Sequence, residues 1–117
     1  MEHRKGGCHC GKVRYEVEVD LTKPVVECNC SICGGKGLLL SFVPTEQMTV
    51  LSGEDSLTEY RFNTEKIVHL FCKVCGTETF ARGEGPDGKA TYAINVRTLD
   101  EVDLATLSRM PYDGKAL

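Results

Sequence analysis

The clearest period along this chain is two. Val13, Tyr15, Val17 and Val19 alternate with Lys12, Arg14, Glu16 and Glu18, the pattern of a strand with one face buried and the other in water. Val25-Val26-Glu27 is a shorter extended piece. Leu38 to Val43 is apolar enough for a buried strand, Pro44-Thr45-Glu46 interrupts it, and Gln47 to Leu51 resumes as another. Ser52-Gly53-Glu54-Asp55 is turn chemistry. Leu57 to Phe62 and Lys66 to Phe71 predict a hairpin around Asn63-Thr64-Glu65. Thr77 to Ala81 and Ala90 to Val96 add two strands, with a loop over Gly83 to Gly88 between them. The helical period is weak. Thr98 to Met110 carries Leu99, Val102, Leu104 and Leu107 at imperfect spacing, which allows a turn or two of helix. The predicted fold class is therefore mainly β, a small domain of packed antiparallel sheets, with every cysteine group at a strand end or turn.

Length and composition narrow the class. At 117 residues, one domain over 1–117 is expected. The formal net charge of −3, with both signs interspersed, argues against a dedicated nucleic-acid binder, which would show a basic face. The N-terminal Met1-Glu2-His3-Arg4-Lys5-Gly6-Gly7 has no apolar run after its basic residues, so it does not read as a secretory signal. The stretch Leu38 to Val43 is far too short to span a bilayer, and no membrane partner is expected. The expected location is cytoplasmic, where thiols stay reduced.

Cysteine then changes the picture. Seven cysteines fall into three groups: Cys8-His9-Cys10, Cys28-Asn29-Cys30-Ser31-Ile32-Cys33 and Cys72-Lys73-Val74-Cys75. An odd count cannot pair completely within the chain, so metal chemistry comes before disulfides. Cys72-x-x-Cys75-Gly76 has the form of a tight zinc turn; the competing redox motif sits at a strand–helix junction, whereas strand-like residues flank this one on both sides. Cys8 and Cys10, at i and i+2, point to one face of a strand. Bonds of about 2.3 Å to a tetrahedral ion bring two sulfurs to roughly 3.8 Å, which requires the backbone to bend. Gly6-Gly7 and Gly11 allow that bend. Two cysteines cannot close a site, so the two pairs complement each other in one four-cysteine centre.

Cys28-x-Cys30-x-x-Cys33 can wrap an ion with three thiolates and leave a fourth position open, the arrangement of reactive zinc sites. Such a centre carries less negative charge than a four-thiolate one. It can still take an incoming thiol and hold it as the nucleophilic thiolate. A closed site, with His69 as a distant fourth ligand, is the alternative that spacing leaves open. For His69 a hydrogen-bonding role has the stronger claim. His9 is expected to be exposed and His3 to lie in a mobile end. Lys36, Arg61 and Arg97 are candidates for a substrate carboxylate, although a solvated surface position accounts for each alone.

Gly7-Cys8-His9-Cys10-Gly11-Lys12-Val13-Arg14-Tyr15, Cys28-Asn29-Cys30-Ser31-Ile32-Cys33, Phe71-Cys72-Lys73-Val74-Cys75-Gly76-Thr77 and Asn95-Val96-Arg97-Thr98-Leu99-Asp100 together resemble the glutathione-dependent formaldehyde-activating enzyme family. His69-Leu70-Phe71-Cys72 and the Cys-Asn-Cys-Ser-Ile-Cys form look most like its centromere protein V-like branch. The resemblance implies a β-tent-like fold, related in shape to a zinc-containing Rab exchange factor. It implies two Zn2+ ions: a structural one on Cys8, Cys10, Cys72 and Cys75, and a catalytic one, partly occupied in some samples, on Cys28, Cys30 and Cys33. The implied reaction joins glutathione and formaldehyde into S-hydroxymethylglutathione, a carbon–sulfur lyase reaction run backwards. Two positions depart from the family pattern. Gly34-Gly35 stands before Lys36 where many members carry a basic pair, and the Asp113-Gly114 end lacks a following aromatic residue. The expected function is a zinc-dependent carbon–sulfur lyase acting on a thiol adduct, with glutathione or another small thiol as partner. The rival expectation is a zinc-stabilised interaction module without catalysis. An open coordination position beside a pocket would favour the enzyme.

Overall fold

The computed structural model describes residues 1–28, 31–61, 67–85 and 87–112. In chain order these form β1 (Glu2–Gly7), β2 (Arg14–Val19), β3 (Val25–Cys28), the short helix α1 (Ser31–Lys36), β4 (Leu40–Pro44), β5 (Met48–Ser52), β6 (Leu57–Tyr60), β7 (Val68–Cys72), β8 (Glu78–Glu84), β9 (Ala90–Asn95) and β10 (Arg109–Tyr112). They assemble into two sheets, a three-stranded one ordered β1-β2-β5 and a seven-stranded one ordered β10-β3-β4-β9-β8-β7-β6. The mainly β expectation holds, and the alternating segment at Val13 to Val19 is the central strand of the smaller sheet. No helix among the described residues is long and apolar enough to cross a membrane.

The main core lies between the sheets. Tyr15, Val17 and Val19 of β2 and Met48 of β5 face Val43 of β4, Phe80 of β8 and Ile94 of β9. Phe80 packs edge-on against Tyr15 (centroids 5.7 Å apart, 78° between planes) and against Tyr92 (5.4 Å, 82°). Those are the offset geometries that aromatic quadrupoles favour. The buried Tyr15 hydroxyl reaches Thr98 Oγ1 at 2.7 Å, and burial pushes its pKa up to about 12.

Four expectations need correction. His3 is not in a mobile end: it lies on β1, paired with Glu18 across the ladder, with Nδ1 2.9 Å from Glu18 Oε1 and Nε2 3.2 Å from Glu16 Oε2. β1 escapes the hydrophobic pattern because His3, Arg4 and Lys5 put no apolar period on an exposed edge strand. Gly6 is required there, since a Cβ would stand 2.5 Å from Thr98 O and 2.7 Å from the Tyr15 hydroxyl.

The helix is also misplaced. Thr98 to Met110 contains a 3-10 turn at Leu104–Thr106 and then β10. Its apolar residues are used by a chain wrapping the core edge, where Val102, Leu104 and Leu107 pack. The α-helix is instead α1, inside the cysteine triplet, so Cys33 sits in a helix and not at a strand end or turn. Gly34 and Gly35 hide it because glycine is a poor helix former. Its end is well defined: Gly37 is left-handed at φ +67° and Leu38 N–H donates to Cys33 O at 3.0 Å, the bond of a Schellman cap.

Not every pair is antiparallel, either: β10 runs parallel to β3, with Pro111 tolerated because β10 is an edge. Finally, β8 runs on through Gly83 and Glu84, so the expected loop begins later. The hairpin turn expected at Asn63-Thr64-Glu65 lies outside the described residues.

Truncating Phe80, which is 1% exposed and in edge contact with two tyrosines, is expected to cost about 3–5 kcal/mol in urea unfolding. A Phe80→Ala protein within about 1 kcal/mol of wild type would mean that the sheets do not pack through this side chain.

Candidate functional site

Two turns bring four sulfurs together. After β1, Gly11 N–H donates to Cys8 O at 3.1 Å, with Gly11 left-handed at φ +82°. After β7, Gly76 N–H donates to Cys72 O at 2.8 Å, with Gly76 at φ +80°. Each glycine lets the chain reverse within one turn, so the two sulfurs of each pair face inward. Cys8 Sγ lies 3.5 Å from Cys10 Sγ, and Cys10 Sγ lies 3.7 Å from Cys72 Sγ across 62 residues of chain. All four ligand atoms of Cys8, Cys10, Cys72 and Cys75 fall within 4.8 Å of one another. Those separations far exceed a disulfide bond of about 2.05 Å and match the edge of a sulfur tetrahedron around an ion.

Backbone N–H groups point at the sulfurs, from Val13 to Cys8 at 3.3 Å and from Val74 to Cys72 at 3.4 Å. Such bonds stabilise thiolates. Contact with Thr77 Oγ1 lowers the Cys75 thiol to about 5. Cys10, although the Lys12 backbone pulls it down, is pushed up to about 11 by desolvation and by the Cys8, Cys72 and Cys75 thiols. Four thiols this close cannot all ionise without a cation between them. The donor set and its spacing therefore fit a divalent ion.

The second feature is a cleft of 1210 Å³ on the far face of the seven-stranded sheet. Cys28, at the end of β3, and Cys33, in α1, both line it and pack in one apolar cluster with Leu38, Leu40, Ala81 and Ala93. Cys30 lies outside the described residues. His69 lines the same cleft, but Cys28, Cys33 and His69 do not form a metal-sized group among the described residues.

His69 is held from behind. Its Nδ1 lies 2.8 Å from Glu78 Oε2, with the two side chains 5% and 1% exposed. Lys36 Nζ reaches the other oxygen, Glu78 Oε1, at 3.0 Å and sits 4.5 Å above the Phe71 ring. This carboxylate reaches the cleft face because of a bulge in β8. Leu70 pairs with Phe80 and Phe71 with Glu78, leaving Thr79 as an extra residue. Leu70 and Phe71 face opposite ways, so Phe80 turns into the core while Glu78 turns toward α1 and His69. Asn95 Nδ2 fixes the bulged strand by donating to Glu78 O at 2.9 Å.

The hydrogen-bonding reading of His69 is thus the one the geometry supports, and His9 is exposed as expected. Lys36 is partly exposed but also pairs with a buried carboxylate. Arg61 stays exposed, on Glu59, and Arg97 Nε donates to Gly37 O at 2.7 Å, where the α1 cap ends. The charged residues that line the cleft include Arg82 and Lys89, which no sequence motif marked. Glu78 was equally invisible, because alternation without the bulge would place it with Phe80 on the core face.

A sequence profile described as "Glutathione-dependent formaldehyde-activating enzyme" matches residues 3–111. The chain belongs to this family. A Halomonas elongata protein whose name carries the same enzyme description is 28% identical over 81 residues, covering 62% of this chain and 52% of that protein, so the chain spans about half the length of this curated relative. The crystal structure of a Rhodobacter sphaeroides protein superposes with a TM-score of 0.80 at 32% identity, covering 92% of this chain and 97% of that one.

Glu78→Ala strands a buried imidazole and an ammonium, and is expected to destabilise the protein by about 3 kcal/mol in urea unfolding. Glu78→Gln, which keeps a partner for His69, is expected to cost less. Wild-type stability in both variants would show that the Lys36–Glu78–His69 network carries no weight.

Proposed function

We propose that this chain is a zinc-dependent enzyme of the carbon–sulfur lyase type, making and breaking the bond between a thiol sulfur and a carbonyl carbon in an adduct such as S-hydroxymethylglutathione. One observation carries the reading: Cys28 and Cys33 share a 1210 Å³ cleft with a buried histidine whose ring is held by a carboxylate. A site that only braced a fold would not need such a space. Membership of the family supports glutathione and formaldehyde as the reactant types.

In this reading Cys8, Cys10, Cys72 and Cys75 hold a structural zinc, and Cys28, Cys30 and Cys33 hold a second, reactive one. Zinc held by the triplet would supply a Lewis acid that keeps a bound thiol deprotonated at neutral pH. The chain's own residues do the rest. Cys28 and Cys33 fix the reacting end of the cleft against the apolar packing of Leu38 and Leu40, which excludes water and strengthens local electrostatics. Glu78 holds a proton on His69 Nδ1 and fixes the ring in the cleft wall. Lys36 balances that carboxylate from the α1 side. The rival reading, an interaction module, is less well supported. Phe42, Ile67 and Tyr112, three of the exposed large apolar residues, line the cleft.

Zinc content, melting temperature and turnover of a glutathione–formaldehyde mixture test the assignment. Wild type is expected to bind about two zinc ions. Cys30→Ala is expected to bind about one and to keep its fold while turnover falls about 100-fold or more. Cys75→Ser is expected to lose cooperative folding, because binding energy at a structural site is folding energy. Unchanged melting of Cys75→Ser with both ions bound would overturn the structural assignment. Unfolding of Cys30→Ala, or the absence of both turnover and thiol binding in wild type, would overturn the enzymatic one.

A further inference from the structure

The cleft is larger than a small thiol and a one-carbon carbonyl need. Pockets of about 300–1,000 Å³ suffice for drug-sized ligands, and this one measures 1210 Å³. Strand register shows how the space is made. Phe42 pairs with Ala93, Ala93 with Ala81, and Ala81 with His69. These four residues form one row across β4, β9, β8 and β7 on the cleft face. With strands about 4.8 Å apart, Phe42 and His69 stand at the ends of the row, and the two alanines between them, 3% and 8% exposed, form a low floor. Phe42 is 56% exposed, an aromatic ring left in water with a hollow beside it. The charges around the cleft are mixed: Glu46, Glu84 and Asp87 against Arg82 and Lys89. That balance gives the cleft no field of a single sign. The discriminating surface is the Phe42 ring, exposed above the low floor.

We infer that the carbonyl component of the substrate is an aldehyde bearing an apolar chain or ring, carried as its thiol adduct, with the apolar arm lying against Phe42 above the low floor of Ala93 and Ala81. The inference rests on the lyase reading above and deepens it. The step is balanced and involves no redox change. The thiol sulfur bonds to the aldehyde carbon, the C=O π pair moves to oxygen, and the thiol proton ends on that oxygen to give a hemithioacetal, an S-(1-hydroxyalkyl) thioether. The reverse releases aldehyde and thiol. Formaldehyde would use the same end of the cleft and leave the floor bare.

Two measurements on the zinc-loaded protein separate this inference from the reading beneath it. Calorimetric titration with unreactive S-methylglutathione and S-hexylglutathione reads the floor directly. Each methylene removed from water is worth about a three- to four-fold gain, so the hexyl compound is expected to bind at least about 30-fold tighter. Phe42→Ser removes an exposed ring, and Ala93→Leu fills the floor. Each is expected to erase about ten-fold of that preference. Turnover of glutathione adducts of formaldehyde, butanal and hexanal is expected to rise in kcat/KM with chain length. Equal binding of the two S-alkyl compounds, or a wild-type preference kept in both variants, overturns the inference. Turnover of the formaldehyde adduct that matches or exceeds that of the hexanal adduct also overturns it, and leaves the lyase reading standing. Tight hexyl binding without turnover of any adduct overturns the lyase reading and supports the floor as the ligand contact.

Discussion

The crossing of Cys10 and Cys72, sulfurs 3.7 Å apart over 62 residues of intervening chain, is the contact on which the rest of the architecture depends. Cys8 and Cys10 follow directly on the outer strand of the small sheet, while Cys72 and Cys75 close the end of β7 in the large one. Joining them fixes how one sheet sits on the other at one end, and Tyr15, Phe80 and Ile94 fill the gap further along. Val13, fully buried between Cys8 and Cys72, is the apolar plug of the junction. Four thiolates at this spacing would repel one another. A divalent cation held among them would turn that repulsion into attraction.

With one face of the large sheet committed to the core, the other is left to chemistry. A single extra residue, Thr79, switches which side chains of β8 face which way. It turns Phe80 inward and gives Glu78 to the cleft face, where the carboxylate meets His69 and Lys36. The helix that follows β3 brings Cys33 to the same wall as Cys28 and sends Lys36 to Glu78. Cys33 and the lysine of the histidine network thus stand on one short helix.

Much of this was legible in the chain. A period of two marked β2, and apolar runs marked β4, β7 and β9, because each buries a face. The cysteine pairs could be matched by count, since neither pair closes a site alone. What escaped did so for definite reasons. β1 presents charged side chains on an exposed edge. α1 contains Gly34-Gly35 and is held by a cap and by tertiary packing, not by propensity. β10 is recruited by pairing with β3. The Lys36–Glu78–His69 network depends on a bulge, and a register shift has no sequence period. The cleft floor is equally silent, because Ala81 and Ala93 become neighbours only through strand register.

The proposed pairing of cysteines into two unlike zinc centres is tested most directly by zinc K-edge X-ray absorption on the purified, zinc-loaded protein. The account predicts a first shell dominated by sulfur at about 2.3 Å, with a four-sulfur shell remaining when Cys28, Cys30 and Cys33 are all replaced by alanine. A first shell of nitrogen and oxygen in that triple variant, or the outer-shell signature of a coordinated imidazole in it, would contradict the four-cysteine clip.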